Sequence, residues 1–207
     1  MTAPFILVTG SAGGIGEAIT ARLEQNGATV VGWDRVSSLG AESEMSVDLA
    51  NTEDVRQAAD LVLSRFGQPD AVVHAAAISA DARFLETSPE ICASLYNVNV
   101  LGALRLVQCF GPGMVERKHG QFLFVSSINA RFATPGLGAY AATKAALESM
   151  IKTLTVELAD SGVRVNGVAP ASVATPMLLD KFSTMPDPES ALQENMERHP
   201  LGRIAEP

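Results

Sequence analysis

The turn Thr9-Gly10-Ser11-Ala12-Gly13-Gly14-Ile15-Gly16 constrains the fold of this chain more than any other stretch. It follows a short apolar run, Phe5-Ile6-Leu7-Val8, and an amphipathic helical pattern leaves it and runs to about Asn26. Strand, glycine turn and helix is the unit this predicts. Glycines let the backbone turn sharply and come close to a ligand, and the helix behind them directs unpaired N–H groups and a positive dipole end at the turn. A pyrophosphate fits such a place. Three glycines alone are weak evidence; the strand before and the helix after give them meaning. Gly10, Ser11, Gly14, Ile15 and Gly16 are the candidate contacts.

The alternation continues down the chain. Thr29-Val-Val-Gly-Trp-Asp34 and Met45-Ser-Val-Asp48 read as the second and third strands. A helix is expected from about Thr52, its N-cap, with Asp54 in the first turn, to Phe66 and Gly67. Ala71 to Ala77 is the fourth strand, Pro89 to Met114 a helical region in one or two pieces, and Gln121 to Val125 the fifth strand. A long helix to about Ala159 and a sixth strand, Val163 to Ala169, follow. This order predicts a single α/β domain, a Rossmann-like doubly wound parallel sheet with helices on both faces. Ligands in such sheets bind at the carboxyl ends of the strands, where all the loops named below emerge.

Asp34 stands 24 residues beyond Gly10, at the end of the second strand. A carboxylate there can accept from both hydroxyls of an adenosine ribose and repels a 2′-phosphate, which favours NAD over NADP. Arg35 pulls the other way, since it could meet such a phosphate if Asp34 turned aside. An Asp that merely opens a turn is the plain alternative. Asp48 and Leu49 lie where a loop could touch an adenine, and Ala75, Ala76 and Ala77 leave room for a ligand. His74 reads as a core histidine with its bonds satisfied.

Tyr140 and Lys144 are four residues apart at the start of the long helix, so their side chains share a face. A free tyrosine has a pKa of about 10 and is phenolate in about one molecule in a thousand at neutral pH. A fixed positive charge nearby shrinks that deficit and lets the phenol exchange protons with an alcohol or carbonyl. A solvated pair on an exposed helix is the competing explanation.

Composition excludes other classes. With 207 residues the chain is long enough for one well-buried domain. A net charge of −8 argues against a nucleic-acid surface. Two cysteines, Cys92 and Cys109, make neither a disulfide framework nor a zinc site, and acidic residues are not spaced as metal ligands. No apolar run approaches the roughly 20 residues of a membrane span, and Met1-Thr-Ala-Pro4 lacks a basic leader. A cytoplasmic protein with no metal is expected.

Together these residues resemble the short-chain dehydrogenase/reductase family over essentially the whole chain. Thr9-Gly10-x-x-x-Gly14-Ile-Gly16 resembles its cofactor loop, Asp34 its NAD-selecting acid and Asp48 its adenine-side acid. The resemblance implies an active site of Ser127, Tyr140 and Lys144, assisted by Asn99, with Ser127 13 residues before Tyr140 and Ser126 one residue out of register. It implies that Lys144 lowers the Tyr140 pKa and holds the nicotinamide ribose, and that Asn99 positions a water linking Lys144 to solvent. Pro170, Val173 and Thr175 resemble the segment that holds the nicotinamide carboxamide. A homodimer or homotetramer is expected by the same analogy.

This chain departs from the family in three places. His74-Ala75-Ala76-Ala77 stands where Asn-Asn-Ala-Gly is usual, and Ala171 replaces a glycine. Relatives run on for about forty residues past a stretch like Leu201 to Pro207, with a seventh strand; a fragment is expected, with the sixth strand as an apolar open edge. The segment 176–200 reads as a lid carrying Met177, Leu178, Phe182 and Met185. With 129–138 it walls a largely apolar pocket, in which Arg131 is solvated. The expected reaction is hydride transfer between NAD and a small hydroxy or keto compound. The alternatives are 3-oxoacyl thioester reduction with NADPH and a non-catalytic dinucleotide-binding subunit.

Overall fold

The computed structural model describes residues 3–36 and 43–207; the expectation about the amino terminus falls partly on Met1 and Thr2, outside that range. Six strands form one parallel sheet in the order β3-β2-β1-β4-β5-β6. They are Phe5–Thr9 (β1), Thr29–Asp34 (β2), Glu44–Ser46 (β3), Ala71–His74 (β4), Gly120–Val125 (β5) and Val163–Val168 (β6). The order reverses between β1 and β4, which opens a crevice at their carboxyl ends. β1 and β4 are buried throughout, as strands covered by helices on both faces must be.

Among the described residues there are seven α-helices: Gly14–Gln25 (α1), Thr52–Phe66 (α2), Pro89–Tyr96 (α3), Gly102–Glu116 (α4), Gly138–Glu157 (α5), Pro176–Ser183 (α6) and Pro188–Glu197 (α7). Leu7, Trp33, Val72, Phe122 and Phe124 face the core shared with α2, α4 and α5. Ile6, Val8, Val30 and Val73 face Ile19 and Leu23 of α1. Alternate residues of one strand thus feed two cores, because strand side chains alternate across the sheet.

Several boundaries differ from expectation. α2 begins at Thr52, but its cap is Asn51, whose Oδ1 accepts from Glu53 N and Asp54 N at 3.0 and 3.2 Å. The Thr52 hydroxyl instead accepts from Arg105 Nε at 2.8 Å. β3 is a residue early and stops at Ser46, and β4 stops at His74. α3 and α4 are joined without a break by a π-helical turn, Asn97–Leu101. That 28-residue helix has the length and mean hydropathy, 1.3, of a membrane span, which amends the expectation that no stretch approached one. Its residues Leu95, Val100, Ala103, Leu106, Phe110 and Met114 are buried in the fold, so the apolarity serves the core. Among the described residues β6 pairs only with β5. Its edge is more polar than expected, since Arg164 and Asn166 are exposed.

Candidate active site

The glycine turn leaves β1 and becomes α1 without a side-chain cap, so the first N–H groups of α1 face the crevice. Three positions in the turn admit glycine alone: Gly10 has φ +74°, and a Cβ there would lie 2.7 Å from Ala76 N. A Cβ on Gly16 would stand 2.0 Å from the Gly10 carbonyl oxygen. Gly14 has φ +34°, and a Cβ there would lie 2.6 Å from Thr175 Cγ2, so the segment after β6 packs directly on the turn. At the end of β2, Asp34 accepts from Ala12 N through Oδ2 and from Val36 N through Oδ1, each at 3.2 Å. Each carboxylate oxygen keeps a lone pair for a further donor.

A cavity of about 950 Å³ runs along the carboxyl edge of the sheet. Gly10, Gly14, Ile15, Gly16, Asp34, Arg35, Asp48, Leu49, Ala75, Ala76, Ala77, Pro170, Val173 and Thr175 line it, as do Ser127, Tyr140 and Lys144. Two expected residues are absent from its wall. Ser11 is buried, with its Oγ packed at Gly32 of β2, so it braces the turn from behind. Asn99 is wholly buried beneath the site.

Tyr140 and Lys144 are placed by the first turns of α5, and Ser127 by the end of β5. Lys144 is 2% exposed; its Nζ lies 5.6 Å from the Tyr140 ring centroid and donates to the Val125 carbonyl at 2.8 Å. Burial lowers its pKa to about 8. Burial also pushes the Tyr140 phenol up, while the neighbouring Ser127 hydroxyl pulls it down. Of these two effects on the phenol, desolvation is the larger. Ser126 also reaches the cavity, but its hydroxyl donates toward Lys144 O and Glu148 Oε1 at 3.4 and 3.3 Å. Arg131, expected to be solvated, is indeed largely exposed, at 64% of its side chain, and pairs with Glu148 at 3.0 Å.

The Asn99 amide is fully engaged within the protein. Its Oδ1 accepts from Ile78 N at 2.9 Å, and Nδ2 donates to Ile78 O and Thr143 Oγ1 at 2.9 and 3.0 Å. Its side chain thus ties the π-helical turn to the loop after β4 and to α5. His74 departs from expectation too: Nδ1 meets Thr9 Oγ1 at 2.9 Å, but Nε2 has no partner among the described residues.

The far end of the cavity is more polar than expected. Met177, Leu178, Phe182 and Met185 of the lid line it, but so do Asp81, Asn129, Thr134, Lys181 and Asn195. Lys181 of α6 pairs with Asp81 at 2.5 Å, and Thr134 donates to Asn129 Oδ1 at 2.7 Å. His199 fastens the end of the lid, with Nδ1 donating to Asn195 O at 2.8 Å and Nε2 accepting from Ser172 N at 3.3 Å. No local pattern marks these residues, because they come from separate loops and from helices α6 and α7. Among the described residues no group of His, Cys, Asp or Glu could hold a metal ion.

A family model described as enoyl-(acyl carrier protein) reductase matches residues 10–207, and the 3-oxoacyl-[acyl-carrier-protein] reductase of Thermotoga maritima is 33% identical over 97% of this chain and 84% of its own. The chain belongs to the short-chain dehydrogenase/reductase family. This short-chain dehydrogenase/reductase is also similar to the L-fucose dehydrogenase of Mus musculus, 33% identical over 98% of this chain and 77% of that one. Among solved structures, the L-sorbose reductase of Gluconobacter frateurii, complexed with NADPH and L-sorbose, superposes with a TM-score of 0.91. It shares 28% identity over the whole of this chain and 86% of its own. A nicotinamide dinucleotide is the cofactor such relatives point to, and the glycine cradle and Asp34 fit one.

Proposed function

We propose that this chain catalyses reversible hydride transfer between NAD and a secondary alcohol or its ketone, with Tyr140 as general acid and base. The observation that carries the proposal is the convergence of Ser127, Tyr140 and Lys144 on one cavity wall, beside the glycine cradle. Bound there, the nicotinamide supplies the hydride acceptor. In the oxidation direction Tyr140 takes the hydroxyl proton, and Ser127 donates to the substrate oxygen as charge develops on it. Lys144 holds the nicotinamide ribose and keeps a positive charge near the phenol. Asp34 supports NAD as the preferred dinucleotide, through its free lone pairs for the ribose hydroxyls.

A hydroxylated substrate is favoured. Asn129, Thr134, Asp81 and Lys181 offer donors and acceptors at the far end of the cavity, and the mouse L-fucose dehydrogenase and the L-sorbose reductase act on sugars by their names. The second reading is 3-oxoacyl thioester reduction with NADPH, favoured by the Thermotoga maritima relative.

The test uses NAD and NADP binding by calorimetry, then a panel of sugars, polyols and a 3-oxoacyl thioester followed by nicotinamide absorbance. Tyr140→Phe is expected to lower turnover by at least about 100-fold with NAD affinity nearly unchanged. Retained turnover sinks the acid–base role. Asp34→Ala is expected to weaken NAD by about tenfold, and NADP less. A sharpened preference for NAD in that variant overturns the cofactor assignment.

A further inference from the structure

His199 stands in the cavity wall, yet both of its ring nitrogens are already engaged within the protein. It is the first residue past Arg198, which caps the end of α7. Nδ1 lies 2.8 Å from the Asn195 carbonyl, a group that can only accept, so Nδ1 carries the hydrogen. Nε2 lies 3.3 Å from the Ser172 N–H, a group that can only donate, so Nε2 carries none. The two contacts fix a neutral imidazole of one tautomer.

The first contact serves the helix. Carbonyls in a last helical turn lack intrahelical partners, and a histidine side chain there can supply one. Arg198 N already donates to the Asn195 carbonyl at 3.3 Å, so the helix end alone gives little reason for a histidine. The second contact reaches another part of the fold. Residues 169–175 run from β6 to α6 with no regular structure beyond an isolated bridge from Val173 to Ala205. Among the described residues His199 is the only side chain that hydrogen-bonds to their main chain. The other holds on this segment are main chain to main chain, among them Ile128 N to Pro170 O at 3.0 Å and Ala205 N to Ser172 O at 2.9 Å.

One end of the segment thus meets the turn after Ser127, and the other packs Thr175 on Gly14 of the glycine cradle. A dinucleotide with its pyrophosphate on the cradle and its reacting ring at Ser127 and Tyr140 spans the same interval. The segment therefore flanks the nicotinamide half of the site.

We propose that His199 is a positioning residue for that half: as a neutral Nδ1–H imidazole it clasps Ser172 to the end of α7 and holds the main chain of 170–175 in the cavity wall. The proposal rests on a dinucleotide filling the cavity, as the hydride-transfer reading does, and it gives His199 no proton to transfer.

Three variants separate the two contacts. His199→Asn keeps a donor for the Asn195 carbonyl and loses the acceptor, His199→Gln extends an amide oxygen to where Nε2 stands, and His199→Leu loses both. By calorimetry NAD is expected to bind about fivefold more weakly to the leucine and asparagine variants, as one hydrogen bond is lost, and within about twofold of wild type to the glutamine variant. ADP-ribose, which lacks the nicotinamide ring, is expected to bind all these chains alike. ¹⁵N spectra of the three histidines, with His199 assigned by its loss in the glutamine variant, should show the Nδ1–H tautomer in the wild-type chain.

An Nε2–H tautomer overturns the proposal, and it is read even if the leucine variant does not fold. An equal loss of NAD and ADP-ribose overturns it too, since that reports a general loosening of the fold. So does an asparagine variant that binds NAD as wild type does, or a glutamine variant as weak as leucine. A wild-type chain that binds neither nucleotide sinks the dinucleotide reading, and the proposal with it, before any variant is made; the other failures sink the proposal alone.

Discussion

Burying Lys144 takes an ammonium out of water and gives it one protein acceptor, the Val125 carbonyl. A pKa lowered from 10.5 to about 8 corresponds to about 3 kcal/mol. The folded value lies below the unfolded one, so the unfolded chain binds more protons between pH 8 and 10.5. Stability is short by the full amount below about pH 8 and recovers as pH rises toward 10.5. Lys144→Met is therefore expected to raise the unfolding free energy at pH 7 by about 1–3 kcal/mol while abolishing turnover. The difference should shrink by pH 10.5, as urea denaturation at both pH values would report; a destabilised variant at pH 7 refutes it. Tyr140 and Lys144 were legible because helical spacing is a local property, and Ser127 through the family resemblance. Ser11 and His74 were not: whether a hydroxyl faces a ligand or a strand, and whether an imidazole nitrogen finds a partner, depends on residues distant in sequence.

The π-helical turn Asn97–Leu101 lies against the cavity wall through Val98. Arg105, two turns on, donates to Thr52 Oγ1, Leu49 O, Asn97 O and Asn97 Oδ1 at 2.8 to 3.0 Å. One guanidinium thus ties the loop at Leu49, expected to touch an adenine, to the turn that carries Asn99. Arg105→Ala is expected to weaken NAD by about tenfold and to lower kcat as well, because a charged donor with several carbonyl partners is lost. Calorimetry and steady-state kinetics on the same preparation check this, and an effect on affinity alone argues against the link to Asn99. The sequence predicted a helix here in one or two pieces. It did not predict the π turn, since an extra residue per turn is set by what the bulge packs against, here Ile78 and Thr143.

For the whole molecule, α3, α4 and α5 present a shallow groove lined by Tyr96, Leu104, Met150, Thr153 and Leu154. Exposed Ile91, Tyr96 and Leu101 lie on the same helices. Burying that face between copies would remove apolar surface from water, so light scattering at micromolar concentration is expected to give a dimer or tetramer. A monomer at that concentration contradicts the expectation. The Asp81–Lys181 pair joins the loop after β4 to the lid.

The sequence by itself determined the alternation of strands and helices, the parallel sheet, the glycine cradle with Asp34, and the Tyr140–Lys144 pair. Each rests on periodicity, turn chemistry or spacing within one element and its neighbour. The tertiary structure alone decided that the Asn99 amide is consumed by Ile78 and Thr143 and that burial lowers the Lys144 pKa to about 8. It also decided that Asp81 and Lys181, a hundred residues apart, close over a polar cavity end. Desolvation and hydrogen-bond saturation are set by what surrounds a side chain in space, and here those surroundings come from segments far apart in the chain.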